Sequence, residues 1–261
     1  MNYISVIKFF LRQLCSLKKD RKVFLICTLI IPIFILLYMS NSISGVSVYG
    51  KLFSLADCFV WVMKPHVFGF LITPVVMVMY YMINRTDYNS IYILRFSKID
   101  YYFFLQVLKC AWLSFYITLV TAGSIVVVGG HMVTEFINWD RVNSVFYTLV
   151  GQTAENVTIL KVMGMFLVTS WLRLFFLCVF ANCICWITEL KILPFILMIA
   201  LATAEMIFPK YKLFYLIFNI DYMWWLTSRA KLLYILFIPI ISFILILVSK
   251  YAIHKKEFFD E

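Results

Sequence analysis

The sequence predicts an all-α polytopic membrane protein of six transmembrane helices. Three observations carry that prediction. Six apolar stretches, roughly Val23–Ser40, Val67–Ile83, Ala111–Gly129, Val162–Ile187, Ile192–Phe208 and Leu232–Ala252, occupy about half of the 261 residues. At 1.5 Å of rise per residue, about 20 apolar residues match a hydrocarbon core of roughly 30 Å. The composition is 64% hydrophobic and 14% charged, against roughly 45–50% and 25% in soluble domains. The third observation is that the charge concentrates between the stretches, which gives the chain an orientation.

The net charge of +10 invites a nucleic-acid reading, because clustered Lys and Arg neutralise phosphates. Its distribution argues otherwise. Fourteen Lys and Arg flank the spans on one side, namely the group from Lys8 to Lys22, then Arg85, Arg95, Lys98, Lys109, Lys191, Lys250, Lys255 and Lys256; eight lie on the other. The positive-inside rule assigns the richer side, and with it both termini, to the cytoplasm. The basic balance thus reports topology and contact with anionic membrane lipids.

Residues 1–22 have no compact apolar core ending in a cleavage site, so they are not read as a signal peptide. Ser5, Lys8, Arg12, Ser16 and Lys19 recur at three- and four-residue intervals, and Ile4, Ile7, Phe10, Leu11 and Leu14 fill much of the remaining surface. The pattern is that of an amphipathic interfacial helix or a helical extension of span 1, with Lys8, Arg12 and Lys19 toward the cytoplasm. Residues 23–252 form the six-span bundle and 253–261 a cytoplasmic tail, together one transmembrane domain.

Pro32, Pro74 and Pro239 fall inside spans, where a backbone hydrogen bond is lost and a kink is expected. The outer segment Asn41–His66 is too apolar for a solvated loop and is expected on the outer interface or packed over the spans. Asn84–Gln106 is the largest cytoplasmic loop, with a short helix from about Ser90 to Phe96; Lys109 follows and is expected to snorkel toward the cytoplasm. His131–Lys161 joins spans 3 and 4 outside. Thr188-Glu189-Leu190-Lys191 makes spans 4 and 5 a tight hairpin, and Pro194 suits the first turn of span 5. Pro209–Lys231 is dense in Tyr, Trp and Phe, as in interfacial or re-entrant helices. Asn156-Val157-Thr158 and Asn84-Arg85-Thr86 fit a glycosylation pattern and are treated as chance matches.

Enzymatic motifs are missing: no HExxH, no GxSxG, no paired-glutamate protease motif and no P-loop. His66, His131 and His254 lie far apart, and the seven cysteines suggest neither a disulfide framework nor a zinc site. The methionines read as core or lipid-facing residues, although a Met- and Phe-rich lining suits an apolar cargo. Ala200 and Ala204 permit close helix packing. Two ionisable residues inside spans draw attention because such groups are costly in hydrocarbon. Arg173 lies near the middle of span 4, and Glu205 lies in the outer half of span 5, about 10 Å shallower on helical rise. The tight hairpin makes the spans neighbours. The readings open for them are a structural pair, a substrate-pathway role, or Glu205 snorkelling outward.

The layout resembles the permease subunit of type-2 ABC transporters. That class combines an amphipathic interfacial helix, six spans, a cytoplasmic coupling helix between spans 2 and 3, and short re-entrant helices before span 6. The closest local likeness is Tyr92-Ile93-Leu94-Arg95-Phe96-Ser97-Lys98-Ile99-Asp100-Tyr101-Tyr102-Phe103-Phe104. It looks like the "LRFGSRKKYF"-type stretch of small permeases in Gram-positive peptide-export and immunity systems, here without the glycine and with only Lys98 of the basic cluster. The resemblance implies that the chain is not itself an enzyme and binds no cofactor, ATP and Mg being held by a separate ATP-binding subunit. That subunit would dock on the N-terminal helix and on Ile91, Leu94, Arg95, Phe96, Ser97, Lys98 and Asp100. A second permease subunit, identical or not, would complete the pore, and the cargo would be a hydrophobic or amphipathic peptide such as a bacteriocin or toxin, or a lipid-like molecule. The alternatives are an ion-driven secondary transporter, usually marked by internal repeats and several mid-membrane carboxylates, and a non-transporting immunity or sensor protein.

Overall fold

A computed structural model describes residues 3–16, 21–47, 49–85, 93, 96, 98–207, 222 and 228–255. Among these the architecture is all-helical, apart from one isolated bridge between Leu52 and Ser144. The helices are α1 (Tyr3–Ser16), α2 (Arg21–Ser47), α3 (Leu55–Val62), α4 (Pro65–Ile83), α5 (Ile99–Met132), α6 (Val145–Val150), α7 (Ile159–Thr188), α8 (Leu193–Ile207) and α9 (Ser228–His254). Five of them, α2, α4, α5, α7 and α9, are long and apolar enough to cross a membrane. The chain is therefore a polytopic helical membrane protein. α8 has 15 residues, or about 22 Å of helix, short of a full crossing.

α7 sits centrally, between α9 on one side and α5 on the other, with α2 packed on α5 and α8 against α7 and α4. The outward faces of α2 and α9 carry Ile26, Leu29, Ile33, Leu37, Phe237, Ile240, Phe243 and Leu247 exposed. In a bilayer those faces meet acyl chains, which solvate them as well as a protein core would. Pro32 and Pro239 each lie inside a continuous helix. Pro74 has a sharper consequence: five residues before α4 reaches its regular part, Phe68–Ile72 form a π-turn. Thr73 donates both its backbone N–H and its hydroxyl to the Phe68 carbonyl, the latter at 2.8 Å. The wider turn accommodates a proline that has no N–H to give to the preceding turn.

The segments joining the first two spans and α5 to α7 form a cap at one end of the bundle. α3 is buried along almost its whole length and packs on α5 and α7. Its first amides donate to the Glu135 and Phe136 carbonyls at 3.0 Å each, while Leu52 exchanges backbone hydrogen bonds with Asn143 and Val145. The donors orphaned at a helix start are thus met by the other segment. α3 comes so near α5 that a Cβ on Gly129 would lie 2.7 Å from Leu55 Cδ1. The apolar Asn41–His66 region accordingly divides: the first span runs on to Ser47, and the remainder is a packed cap.

On the opposite side, the predicted loop Asn84–Gln106 is shorter than expected, because α5 begins at Ile99. Tyr102, Phe103 and Leu105 of that early stretch are buried with Val6 and Phe10 of α1, Trp186 of α7 and Ile253 of α9. α5 is 34 residues long, about 51 Å, against the 30 Å of a hydrocarbon core. The excess forms a pedestal at its start. The expected helix over Ser90–Phe96 and the re-entrant helices over Pro209–Lys231 lie largely outside the described residues.

Candidate functional site

Three centres stand out, one at each level of the bundle. The first is the pedestal. α1 packs on the start of α5 through Val6 and Phe10, and Phe9 meets Phe96 edge-to-face at 5.8 Å between ring centroids. Ile93 and Phe96, from the predicted docking loop, are buried in the same cluster. Lys8 and Arg12 are exposed, as are Ile4, Ile7 and Leu11. α1 is therefore amphipathic in a divided sense, with one apolar strip on the protein and another free for lipid. Asp100, in the first turn of α5, meets Lys250 of α9 at 2.8 Å and His254 at 3.4 Å. All three side chains are roughly half exposed, so the contact orients more than it stabilises. Of the other predicted docking residues, Lys98 occupies the N-cap position of α5 with no side-chain capping bond and is exposed; Ile91, Leu94, Arg95 and Ser97 lie outside the described residues, as does Lys19.

Buried hydrogen bonds tie the pedestal to the bundle. Gln106 donates to the Tyr102 hydroxyl at 2.8 Å and accepts from the Trp186 indole at 2.9 Å. Tyr80 donates to Asn182 Oδ1 at 3.2 Å. Lys109 does not snorkel to water: it is 2% exposed, with Nζ 3.4 Å from the Ile83 carbonyl. The reason is positional, since α4 ends at Ile83, beside Lys109, and its last carbonyls present the negative end of the helix dipole.

The second centre is Arg173, which is fully buried in α7. Its guanidinium carbon lies 4.0 Å from the centroid of the Phe68 ring, in the π-turn of α4. Nη1 is 3.0 Å from Met63 Sδ, the sulfur that Ser170 also approaches at 3.6 Å. A cation over an aromatic face gains most when water is excluded. The Glu205 side chain lies outside what is described, so the expected pair is neither formed nor refused. Counted from the α7–α8 hairpin, Arg173 is about 22 Å along α7 and Glu205 about 18 Å along α8, closer in level than the count from the outer ends implied. The larger offset arises from counting down two spans of unequal length from their outer ends.

The third centre went unread in the sequence. Asp57, at the third position of α3, has no exposure and receives four donors. Ser54 gives its amide and hydroxyl to Oδ2 at 2.8 and 2.7 Å. The Trp139 indole and the Tyr222 hydroxyl reach Oδ1 at 2.9 and 2.8 Å. Tyr222 in turn accepts from the Trp61 indole at 3.0 Å, and Lys64 caps the outer side of Trp61, 3.6 Å from its ring centroid. Trp139 stacks on Phe146 at 4.6 Å, and Tyr222 meets both rings edge-on. Burial pushes the Asp57 carboxyl above its ordinary range, against the pull of the Ser54, Tyr222 and Trp139 donors. Burial and the neighbouring Asp57 raise the Tyr222 hydroxyl well above its usual value and Cys58 to about 12, which leaves that thiol protonated and unreactive. One carboxylate thus binds three segments far apart in the chain. A sequence signal existed: Ser54-Leu-Ala-Asp57 before an apolar run has the form of a capping box, which the structure contains.

Among the described residues no group of His, Cys, Asp and Glu is arranged to hold a metal ion. Cys27, Cys58, Cys110, Cys178, Cys183 and Cys185 are thiols and form no disulfide. A scan against protein-family models finds no match, and neither do searches of curated proteins and of solved structures.

Proposed function

We propose that the chain is the membrane-spanning permease subunit of an ATP-driven exporter of the type-2 ABC class, with α8 and the residues after it as the fifth of six spans. The observation that supports this reading best is the pedestal. α1 and the 84–98 segment are the two places where an ATP-binding subunit would dock, and α1 shares one buried cluster with Ile93 and Phe96 of that segment and with the starts or ends of α5, α7 and α9. Force applied there reaches three spans at once. In this account the separate subunit supplies ATP and Mg, its closure pushes on the pedestal, and the spans rock as packed bodies. The chain contributes binding and transmission, not bond chemistry. A second permease subunit completes the pore in the cell membrane, both termini are cytoplasmic, and the cargo is a hydrophobic or amphipathic peptide.

The test uses inside-out vesicles carrying the chain together with its ATP-binding subunit. ATP-dependent uptake of a labelled amphipathic peptide, unchanged when ion gradients are collapsed, is the expected result. Uptake that follows an imposed proton or sodium gradient without ATP would make the chain a secondary transporter. No uptake under either condition, with peptide protection of whole cells retained, would make it an immunity protein.

A further inference from the structure

The start of α5 reaches well beyond the end of α4. Lys109 is the eleventh residue of α5, so about 15 Å of helix precedes it, yet its Nζ stands 3.4 Å from the carbonyl of Ile83, where α4 ends. α5 is therefore fastened to the end of α4 about three turns in from its own start. The fastening is buried: Ile83 is 8%, Asn84 3% and Lys109 2% exposed. Asn84 closes the same turn by giving its backbone N–H and its side-chain amide to the Tyr80 carbonyl, both at 3.0 Å. One turn earlier on α5, Gln106 joins Tyr102 to Trp186 of α7. The extension is thus gripped from two sides at one level, by α4 through Lys109 and by α7 through Gln106.

An ammonium group at a helix C-terminus is stabilising because it faces the partial negative charge of unpaired carbonyls, and more so where water is excluded. A neutral side chain of the same length would leave the Ile83 carbonyl buried with a weaker partner and would free the last turn of α4 to fray.

We propose that Lys109 is a positioning residue that locks the cytoplasmic end of α4 to α5, so that α4 and the α5 extension move as a single lever. The lock itself follows from the packing; its use in transport rests on the permease reading above. Motion delivered to the pedestal is passed to α4 through Lys109, whereas without it the lever turns against a loosened α4 end.

The experiment compares wild type, Lys109→Met and Lys109→Arg as full chains in lipid nanodiscs. Hydrogen exchange of the amides of residues 80–84 is read first, with residues 55–62 in the distant cap as a folding control. Lys109→Met is expected to exchange about tenfold faster at 80–84 and at the wild-type rate in the cap, with Lys109→Arg close to wild type. Equal exchange in wild type and Lys109→Met would overturn the lock, whatever the chain transports. In complex with the ATP-binding subunit, Lys109→Met is expected to keep ATP hydrolysis within about twofold while ATP-dependent peptide uptake falls at least about fivefold. Faster exchange with unimpaired uptake would overturn the lever role and leave the lock standing. If no ATP-binding subunit associates with the wild type, the permease reading fails, and the exchange result still decides the lock.

Discussion

Replacing Asp57 tests how the cap is held. Asp57→Ala removes the acceptor for four donors at 2.7–2.9 Å. The hydroxyls of Ser54 and Tyr222 can turn elsewhere, but the Ser54 amide and the Trp139 indole N–H cannot. A buried donor left unsatisfied costs about 1–3 kcal/mol, so stranding both costs about 2–6 kcal/mol. For a chain of this size each kcal/mol is worth about 2–4 °C, which sets the expected fall at roughly 5–20 °C. Asp57→Asn keeps one acceptor oxygen. Turned toward Trp139 and Tyr222, its amide nitrogen faces the Ser54 amide, so one fixed donor is stranded at about 1–3 kcal/mol. Tyr222→Phe leaves Asp57 with three donors and leaves Trp61, which is half-buried and open to water, to be resatisfied; about 1–2 kcal/mol is expected. The assay is thermal unfolding in nanodiscs by intrinsic fluorescence, in which the buried Trp139 reports the cap directly. The order Ala, then Asn, then Phe from most to least destabilised supports the reasoning. A melting temperature for Asp57→Ala within about 1 °C of wild type would refute it.

Three further outcomes follow from the same contacts. Because burial raises the Asp57 pKa, the proton it retains on folding favours the folded state below the ordinary carboxyl value of about 3.9, and that stability is lost as pH rises through the raised value; wild type should therefore lose stability relative to Asp57→Asn as pH climbs from about 4, and parallel pH profiles would contradict this. Gly129→Val overfills the contact with Leu55 and Cys58 and should destabilise by about 1–3 kcal/mol, whereas Gly130→Val, with nothing within 4 Å of its Cβ position, should leave the melting temperature nearly unchanged; equal effects would dismiss the close approach. Arg173→Glu and Glu205→Arg should each impair folding yield, and the double exchange should partly restore it. Failure of the exchange to restore yield would show that the two charges do not face one another.

The spans were legible because a membrane crossing needs a long apolar run, and the runs ending at Ile83, Ile187 and Ala252 each lie within two residues of the helix end they predict. The Val67–Ile83 run even located the disturbance around Pro74, though not that a π-turn before it absorbs the strain. What escaped detection was helix without a continuous apolar pattern. Ile99–Gln106 places Asp100 before four consecutive aromatic residues and Leu105, and its partners are α1, Trp186 and Ile253 rather than lipid, so it reads as loop. Leu55–Val62 carries an acid in an apolar run, and the acid makes sense only with Trp139 and Tyr222 beside it. Those partners are 82 and 165 residues away, and no local periodicity reports such a distance. Lys109 was read by the habit of lysines near membrane edges; its true environment depends on where a different helix stops. The fifth apolar run, Ile192–Phe208, matches the bounds of α8 to within one residue at each end.

The account stands or falls on whether this chain draws its energy from another protein. Co-expression with a candidate ATP-binding subunit, followed by purification through the chain in detergent and assay of ATP hydrolysis, measures that directly. The predicted result is a stable complex that hydrolyses ATP and is lost when residues 95–100 are replaced by a Gly–Ser segment, with the cap residues 55–62 still folded. A chain that purifies alone with every candidate subunit, and moves peptide on an ion gradient, would contradict it.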